Sequence, residues 1–246
     1  MRISHVLALT FAFLIVAGTT PAFADDWSFE SFKKQAEKSD WEGFGIGTSV
    51  TKKSKSVSPM GSQETEERIT LIKIEDDKLT LKIEKKGADG KWAEQPVRVE
   101  KRKKDVKIES KVSGEETITI AGTSYPCKII DSTKTEDGES EPARFWVHEK
   151  KGILQMEMQA GPGMKFKLVV TKIDVEKTIG ETTLKGCREF TASFTGGTMK
   201  TLVCLNCPEQ TLVQSMQMDQ GGMKMTRDEV ITAVTLKKKA AATTTK

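Results

Sequence analysis

The chain has 246 residues, of which 37% are hydrophobic and 30% are charged, and its formal net charge at pH 7 is +4. Basic and acidic residues are interspersed, so the composition excludes the concentrated basic face that is typical of nucleic-acid-binding proteins. One tyrosine and two histidines leave few side chains for acid–base chemistry near neutral pH.

Residues 1–24 predict a signal peptide. A short basic start precedes the apolar run Val6–Val16, and Ala22-Phe23-Ala24 has the small-residue pattern of a cleavage site. The run is too short for a membrane anchor, and we expect no transmembrane span in the mature chain. A box at residues 14–19 that resembles a lipoprotein signal ends in threonine instead of cysteine. We therefore expect a soluble exported bacterial protein, periplasmic or extracellular, that begins at Asp25.

Residues 25–42 predict an N-terminal amphipathic helix and a loop. Asp26 is a suitable N-cap, and lysines gather toward the end of the helix. Phe29, Phe32 and Ala36 share one face at helical spacing. This stripe predicts that Phe29 and Phe32 anchor the helix on an apolar surface.

The rest of the chain, to Leu236, has the alternation of antiparallel strands with one solvated face. Turn signals built on glycine and aspartate separate the runs, and we expect about fourteen strands. The clearest runs are Arg68–Glu75, Lys78–Lys85, Val106–Lys111, Glu116–Ala121, Cys127–Lys134, Arg144–His148, Ile153–Gln159, Met164–Asp174, Arg188–Thr195, Thr198–Cys204, Thr211–Met218 and Met223–Leu236.

Three segments have a different composition. Lys52–Gln63 is rich in serine, lysine and glycine and predicts a mobile loop. Residues 237–246 predict a disordered basic tail. The run 101–104 (Lys-Arg-Lys-Lys) is interpreted as a solvated turn or edge strand, with a patch for anionic surfaces as the alternative.

An internal repeat of about 60 residues organises the β region. The segments that begin at Met156 and Met216 share a strand–glycine turn–strand pattern, and Cys127 and Cys187 are separated by the same interval. We divide the β region into a degenerate unit at 43–112, a second unit at 113–176 and a third unit at 177–236.

Methionines recur on alternate residues of the repeat, so each set shares one face of its strand. Three interpretations stay open: an ordinary core face, an apolar groove for an acyl chain or hydrophobic peptide, and a Cu(I) site of thioether ligands. No histidine accompanies the strip and we expect it to be largely buried, which disfavours copper. The ligand-facing candidates are Met156, Met158, Met164, Phe166, Met216, Met218, Met223 and Met225, with Phe29 and Phe32 from the helix.

The four cysteines favour disulfides in an exported chain. We predict a Cys187–Cys207 pair, because a hairpin that turns at Gly197 places these residues opposite each other. Cys187–Cys204 is the alternative if the turn is tighter. Cys127 and the remaining cysteine would pair only if two repeats lie side by side. Cys204 and Cys207 also have CxxC spacing, the pattern of thiol redox sites, but they lack the helix N-terminus that lowers a thiol pKa. A zinc site would lack a second ligand pair.

His148 with Glu149 is the one acid–base pair that we considered for an enzyme. Neighbouring residues of a strand point to opposite faces, so this pair is poorly placed for joint catalysis. The sequence carries no stronger catalytic motif. We therefore predict a non-enzymatic protein without a cofactor or a resident metal.

A helix at Trp27–Lys38 followed by antiparallel hairpins from about Gly45 to Leu236 resembles the outer-membrane lipoprotein carriers and related bacterial half-barrels. That resemblance implies a curved sheet around a helix and an apolar concave face for acyl chains. The Gly-Thr-x-Val entry at residues 47–50 also resembles uncharacterised secreted proteins, which implies no activity. This chain has more strands than a single half-barrel and repeats internally.

We predict a mainly β fold: an antiparallel curved sheet or half-barrel of two or three repeats, with one N-terminal helix on its concave face. The predicted function is a non-catalytic exported binding or scaffold protein of the cell envelope with an apolar ligand. The alternative is a structural protein that acts through contacts with envelope proteins.

Overall fold

Antiparallel strands make up almost all of the fold. The computed structural model describes residues 27–35, 38–101, 106–136, 138–159, 165–194 and 196–239. In these ranges the helix α1 (Phe29–Gln35) precedes the strands. The strands are β1 Ser49–Ser58, β2 Gly61–Ile74, β3 Lys78–Lys86, β4 Trp92–Lys101, β5 Lys107–Ile120, β6 Thr123–Glu136, β7 Glu139–His148, β8 Gly152–Gln159, β9 Lys165–Ile179, β10 Thr182–Phe194, β11 Gly197–Val203, β12 Thr211–Gln220 and β13 Met223–Thr235.

The strands form one curved sheet in the order β4-β3-β2-β1-β13-β12-β11-β10-β9-β8-β7-β6-β5. Neighbouring strands are antiparallel and consecutive in the chain, except that β13 returns beside β1. The sheet does not close on itself, so β4 and β5 are its edges. The predicted mainly β, curved antiparallel fold with one helix is confirmed.

Alternation of residue type explains the long strands. In β9, Phe166, Leu168 and Val170 are buried, whereas Lys165 and Lys167 are exposed. After Val170 the alternation changes phase, and the odd-numbered residues are the less exposed ones as far as Ile179. Tight turns join the hairpins. Gly221 and Gly222 have φ of 61° and 83°, which a two-residue hairpin turn requires at both positions and which only glycine adopts without strain.

Several strand predictions were wrong in extent. The predicted loop Lys52–Gln63 is the hairpin of β1 and β2, because β1 is a central strand with hydrogen-bonded neighbours on both sides despite its polar composition. The runs predicted at 106–111 and 116–121 are one strand, β5, which passes through an irregularity between Val112 and Gly114. Strand β4 was not among the predicted runs.

Some predictions concern residues outside the described ranges. They include the signal peptide at 1–24, Met164, Ala36 and the last seven residues of the predicted tail. At the start of that tail, the carbonyl oxygen of Lys237 accepts a 2.7 Å hydrogen bond from Gly45 N. None of the described helices is long and apolar enough to cross a membrane.

Two apolar cores lie against the sheet. The first core joins Trp27 and Phe29 of the N-terminal segment to buried residues of strands β5 to β11. The second core joins Trp41 and Phe44, which follow the helix, to β1, β2, β3, β13 and the far ends of β9, β10 and β12. The segment from Trp27 to Phe44 therefore contributes to both cores.

Trp27 fixes the start of this segment. Its carbonyl oxygen accepts a hydrogen bond from Ile153 N at 2.9 Å, and its indole Nε1 donates to Gly186 O at 3.1 Å. The guanidinium of Arg188 stacks over the indole ring, 4.4 Å from its centroid, and donates to Ile153 O at 2.6 Å. Arg188 is buried, so these contacts supply the partners that a desolvated charge needs.

Gly152 tests this anchor. A Cβ at Gly152 would lie 2.0 Å from Trp27 O, and the residue has φ of +66°. Gly180 has a similar φ of +59° with no atom near its Cβ position, so Gly180→Ala is the matched control. Left-handed strain costs each variant about 1–2 kcal/mol. Gly152→Ala loses clearly more free energy of unfolding, because the clash displaces the segment; equal losses in urea titrations would contradict this account.

Candidate functional site

The predicted methionines belong to rows that cross the sheet. Residues that pair directly across antiparallel strands share a face. Register places six residues of β7 to β12 in one such row, which we call the inner row. Its members are Phe145, Met156, Leu168, Ala192, Met199 and Met216.

Helix α1 packs on the inner row. The rings of Phe29 and Phe32 lie 5.1 and 4.9 Å from the ring of Phe145, centroid to centroid. Phe145, Phe29 and Met156 are all buried. The two phenylalanines therefore contact the sheet directly, and apolar side chains fill the contact between helix and sheet.

A second row lies two residues nearer the turns, and we call it the rim row. Met158 pairs with Phe166, and Phe194 with Gly197. Gly197 pairs with Met218, which pairs with Met225. The rings of Phe166 and Phe194 are 5.0 Å apart and join the two halves. The two methionine sets of the repeat thus meet in one apolar row across strands β8 to β13.

The rim row is less covered than the inner row. Met158, Phe194, Met218 and Met225 are half-buried, and only Phe166 is buried. Met223, at the end of the β12–β13 hairpin, is 58% exposed. The expectation of a largely buried strip therefore holds for the inner row and not for the rim row.

A groove of about 780 Å³ lies at this end of the sheet. Met158 and Phe166 line it together with polar residues of β5 to β10. Five of those residues pair in register across β5 to β9, on the face opposite the rim row, so the groove takes its lining from both faces. Their charges alternate in sign along the row: Lys111, Asp131, Arg144, Glu157 and Lys167.

Ion pairs organise the charged row. Arg144 Nε donates to Asp131 Oδ1 at 2.7 Å, and this hydrogen bond lowers the pKa of Asp131. Lys167 Nζ lies 3.5 Å from Glu157 and 5.9 Å from the centroid of the Trp146 ring. These groups are solvent-accessible, so a charged ligand group can compete for them at little cost.

The cysteines lie in the two cores. Cys127 is buried in the first core, opposite His148. Cys187, Cys204 and Cys207 are buried in the second core. Cys204 and Cys207 lie in the connection between β11 and β12, which is not helical. Burial raises the pKa of the Cys207 thiol, which is the opposite of what a reactive thiolate requires.

His148 has a structural contact at the start of the turn that follows β7. Its Nδ1 accepts hydrogen bonds from the backbone N–H groups of Lys150 and Lys151 at 3.1 and 3.0 Å. The Tyr125 ring meets the imidazole edge-on at 5.4 Å. The described residues contain no group of three or more His, Cys, Asp or Glu side chains arranged to hold a metal ion.

Sequence reasoning missed a half-buried ionic cluster around Glu209. Its carboxylate accepts hydrogen bonds from Trp41 Nε1 at 3.1 Å, Lys52 Nζ at 3.4 Å and Arg98 at 2.5 Å. These donors come from three parts of the chain remote from Glu209. The φ of Glu209 is +62°, which a glutamate adopts only when its surroundings hold it there.

Comparisons with known proteins find only a weak similarity to solved structures. No family model and no curated protein sequence matches the chain. A domain from Vibrio parahaemolyticus, named for a proposed role in outer membrane lipoprotein sorting, is 12% identical; the match covers 82% of this chain and 90% of that one, with a TM-score of 0.38. A DUF1329 family protein from Desulfovibrio piger is 8% identical, covering 81% and 88%, with a TM-score of 0.31. These weak likenesses fit the resemblance in element order and carry no conclusion about a ligand.

Replacing Glu209 tests the cluster. Burial alone would raise the pKa of Glu209, but Lys52 and Arg98 outweigh it and hold the pKa below its ordinary value. The cluster therefore stabilises the fold above the ordinary glutamate pKa of about 4.3, and that contribution disappears as the pH falls through the lower folded-state pKa. At pH 7, Glu209→Gln should lower the free energy of unfolding by about 2 kcal/mol.

The pH dependence separates charge from packing. The difference between wild type and Glu209→Gln should shrink in urea titrations as the pH is lowered below about 4.3. Glu94→Gln removes a carboxylate whose side chain is 73% exposed and pairs with Lys82, and it should leave stability nearly unchanged. A deficit of the Glu209 variant that stays constant with pH would contradict the ionic account.

Proposed function

We propose that this protein is an exported, non-catalytic binding protein of the bacterial envelope whose ligand carries an acyl chain. The observation that supports this proposal is the rim row, an apolar strip across six strands that helix α1 does not fully bury. Contiguous apolar surface that stays partly accessible marks ligand or partner sites in soluble proteins. Methionine side chains suit a chain without fixed shape, since they are flexible and polarizable.

The groove continues the rim row across β6 and β7. Ala143 pairs with Met158, and Ser132 pairs with Ala143, so both share the face of the rim row and line the groove. Arg144 and Lys167 project from the opposite face, so the ion pairs of the charged row lie away from a chain on the rim row. The groove volume of about 780 Å³ falls within the range of ligand sites. The proposed ligand class is therefore a flexible apolar chain, such as an acyl chain.

Uptake of a fluorescent fatty acid tests the proposal. Wild-type protein should bind it, and Met158→Gln and Met218→Gln should each weaken binding about tenfold, since each replaces apolar contact area with an amide. Met60→Gln is the matched control, because Met60 is 94% exposed in the β1–β2 turn and is not a member of the rim row. Native mass spectrometry of gently purified protein should also show a co-purified lipid.

Two results would end this proposal. One is a wild-type protein that takes up no fatty acid and carries no lipid. The other is equal binding by Met218→Gln and Met60→Gln, with circular dichroism showing that both variants are folded.

A scaffold that binds envelope proteins is the second candidate function. Val97 and Val99 on edge strand β4 are 54% and 48% exposed, and Val112 on edge strand β5 is 62% exposed. Apolar side chains on unpaired edges favour pairing with another chain. Pull-down from native envelopes separates the two functions, because a scaffold retains stable protein partners and a carrier retains lipid.

A further inference from the structure

Three cysteines converge in the second core. Cys187 lies in β10, Cys204 directly follows β11, and Cys207 lies three residues further along the same connection. Each has a relative exposure of 0%. Three thiols at one buried place allow three cross-links, so the geometry must select among them.

The strand register selects Cys204 as the partner of Cys187. In the β10–β11 hairpin Phe194 pairs with Gly197 and Arg188 pairs with Val203. One further step along both strands brings Cys187 opposite Cys204. A turn at Gly197 would place Cys207 opposite Cys187. The hairpin turns before Gly197, so the residue opposite Cys187 is Cys204.

The sulfur positions agree with the register. The Sγ atoms of Cys187 and Cys204 both approach the carbonyl oxygen of Lys185, at 3.9 and 3.5 Å. Directly opposed residues of antiparallel strands have Cα atoms about 4.5–5.5 Å apart, which lies within the span of a disulfide. The two Sγ atoms are thus neighbours of one carbonyl oxygen, as side chains on one face of a hairpin can be.

We propose that Cys187 and Cys204 form a disulfide in the exported protein, and that Cys127 and Cys207 remain buried thiols. This inference rests on the proposed function in one respect: export brings the protein to a compartment with an oxidant for the two thiols. The two thiols release two protons and two electrons as the S–S bond forms. A disulfide of a thiol–disulfide oxidant accepts the electrons and is reduced to a dithiol.

Cys207 remains a thiol for a physical reason. Cys207 lies three residues beyond Cys204, so the register of the β10–β11 hairpin does not bring it opposite Cys187. The cross-link would also hold the connection between β11 and β12, which carries Glu209, to strand β10. Reduction should therefore loosen the contacts of Glu209 with Trp41 and Arg98.

Differential alkylation of the full chain tests the pairing. Protein isolated from the envelope is unfolded without reductant and treated with iodoacetamide, then reduced and treated with N-ethylmaleimide. Tandem mass spectrometry should find iodoacetamide on Cys127 and Cys207, and N-ethylmaleimide on Cys187 and Cys204. N-ethylmaleimide on any other pair would overturn the proposed pairing, and its absence from all four cysteines would overturn the disulfide in the exported protein.

Matched serine variants and oxidation in vitro separate pairing from export. Cys207→Ser should retain the cross-link and Cys204→Ser should lose it. The reverse result would overturn the pairing. Reduced wild-type protein treated with glutathione disulfide should form the Cys187–Cys204 bond without any exported oxidant. If that bond forms in vitro while protein from cells carries four thiols, the export is wrong and the pairing is right.

Discussion

The apolar face of a long open sheet must be shielded from water by other parts of the chain. In this protein the short segment from Trp27 to Phe44 packs on that face. Trp27 and Phe29 cover the first core, while Trp41 and Phe44 cover the second. Both cores therefore depend on the same stretch of chain. Without it, the buried residues of the inner row and of the second core would face water, at a cost of roughly 1.5–3 kcal/mol for each large side chain.

Buried polar groups hold this covering segment at two places. Near its start, Trp27 is held by the backbone of Ile153 and by the stacked guanidinium of Arg188. Near its end, the indole of Trp41 donates to Glu209. Apolar contact alone allows a helix to slide, whereas hydrogen bonds and half-buried ion pairs require one position. These polar contacts therefore set where the segment lies, and the apolar contacts supply most of the stabilisation.

The sequence pattern predicted features that depend on neighbouring residues, such as strands and their faces. It missed features that depend on residues far away in the sequence. The alternation in β9 and the methionine spacing correctly predicted strands and shared faces, because the period of two is a property of each strand alone. Polar β1 was missed because its strand character comes from its pairing with β2 and β13. Glu209 gave no signal, since its partners Lys52 and Arg98 are far away in sequence.

The rim row stays partly accessible because helix α1 is short. Helix α1 has seven residues and is about 10 Å long. The rim row crosses six strands, from β8 to β13, and neighbouring strands are about 4.8 Å apart, so the row extends over about 24 Å. Phe29 and Phe32 of the helix pack against Phe145 of β7, whereas the rim row begins in β8. A helix of this length cannot cover the inner row and the rim row together, which leaves the methionines from Met158 to Met225 accessible to another apolar chain.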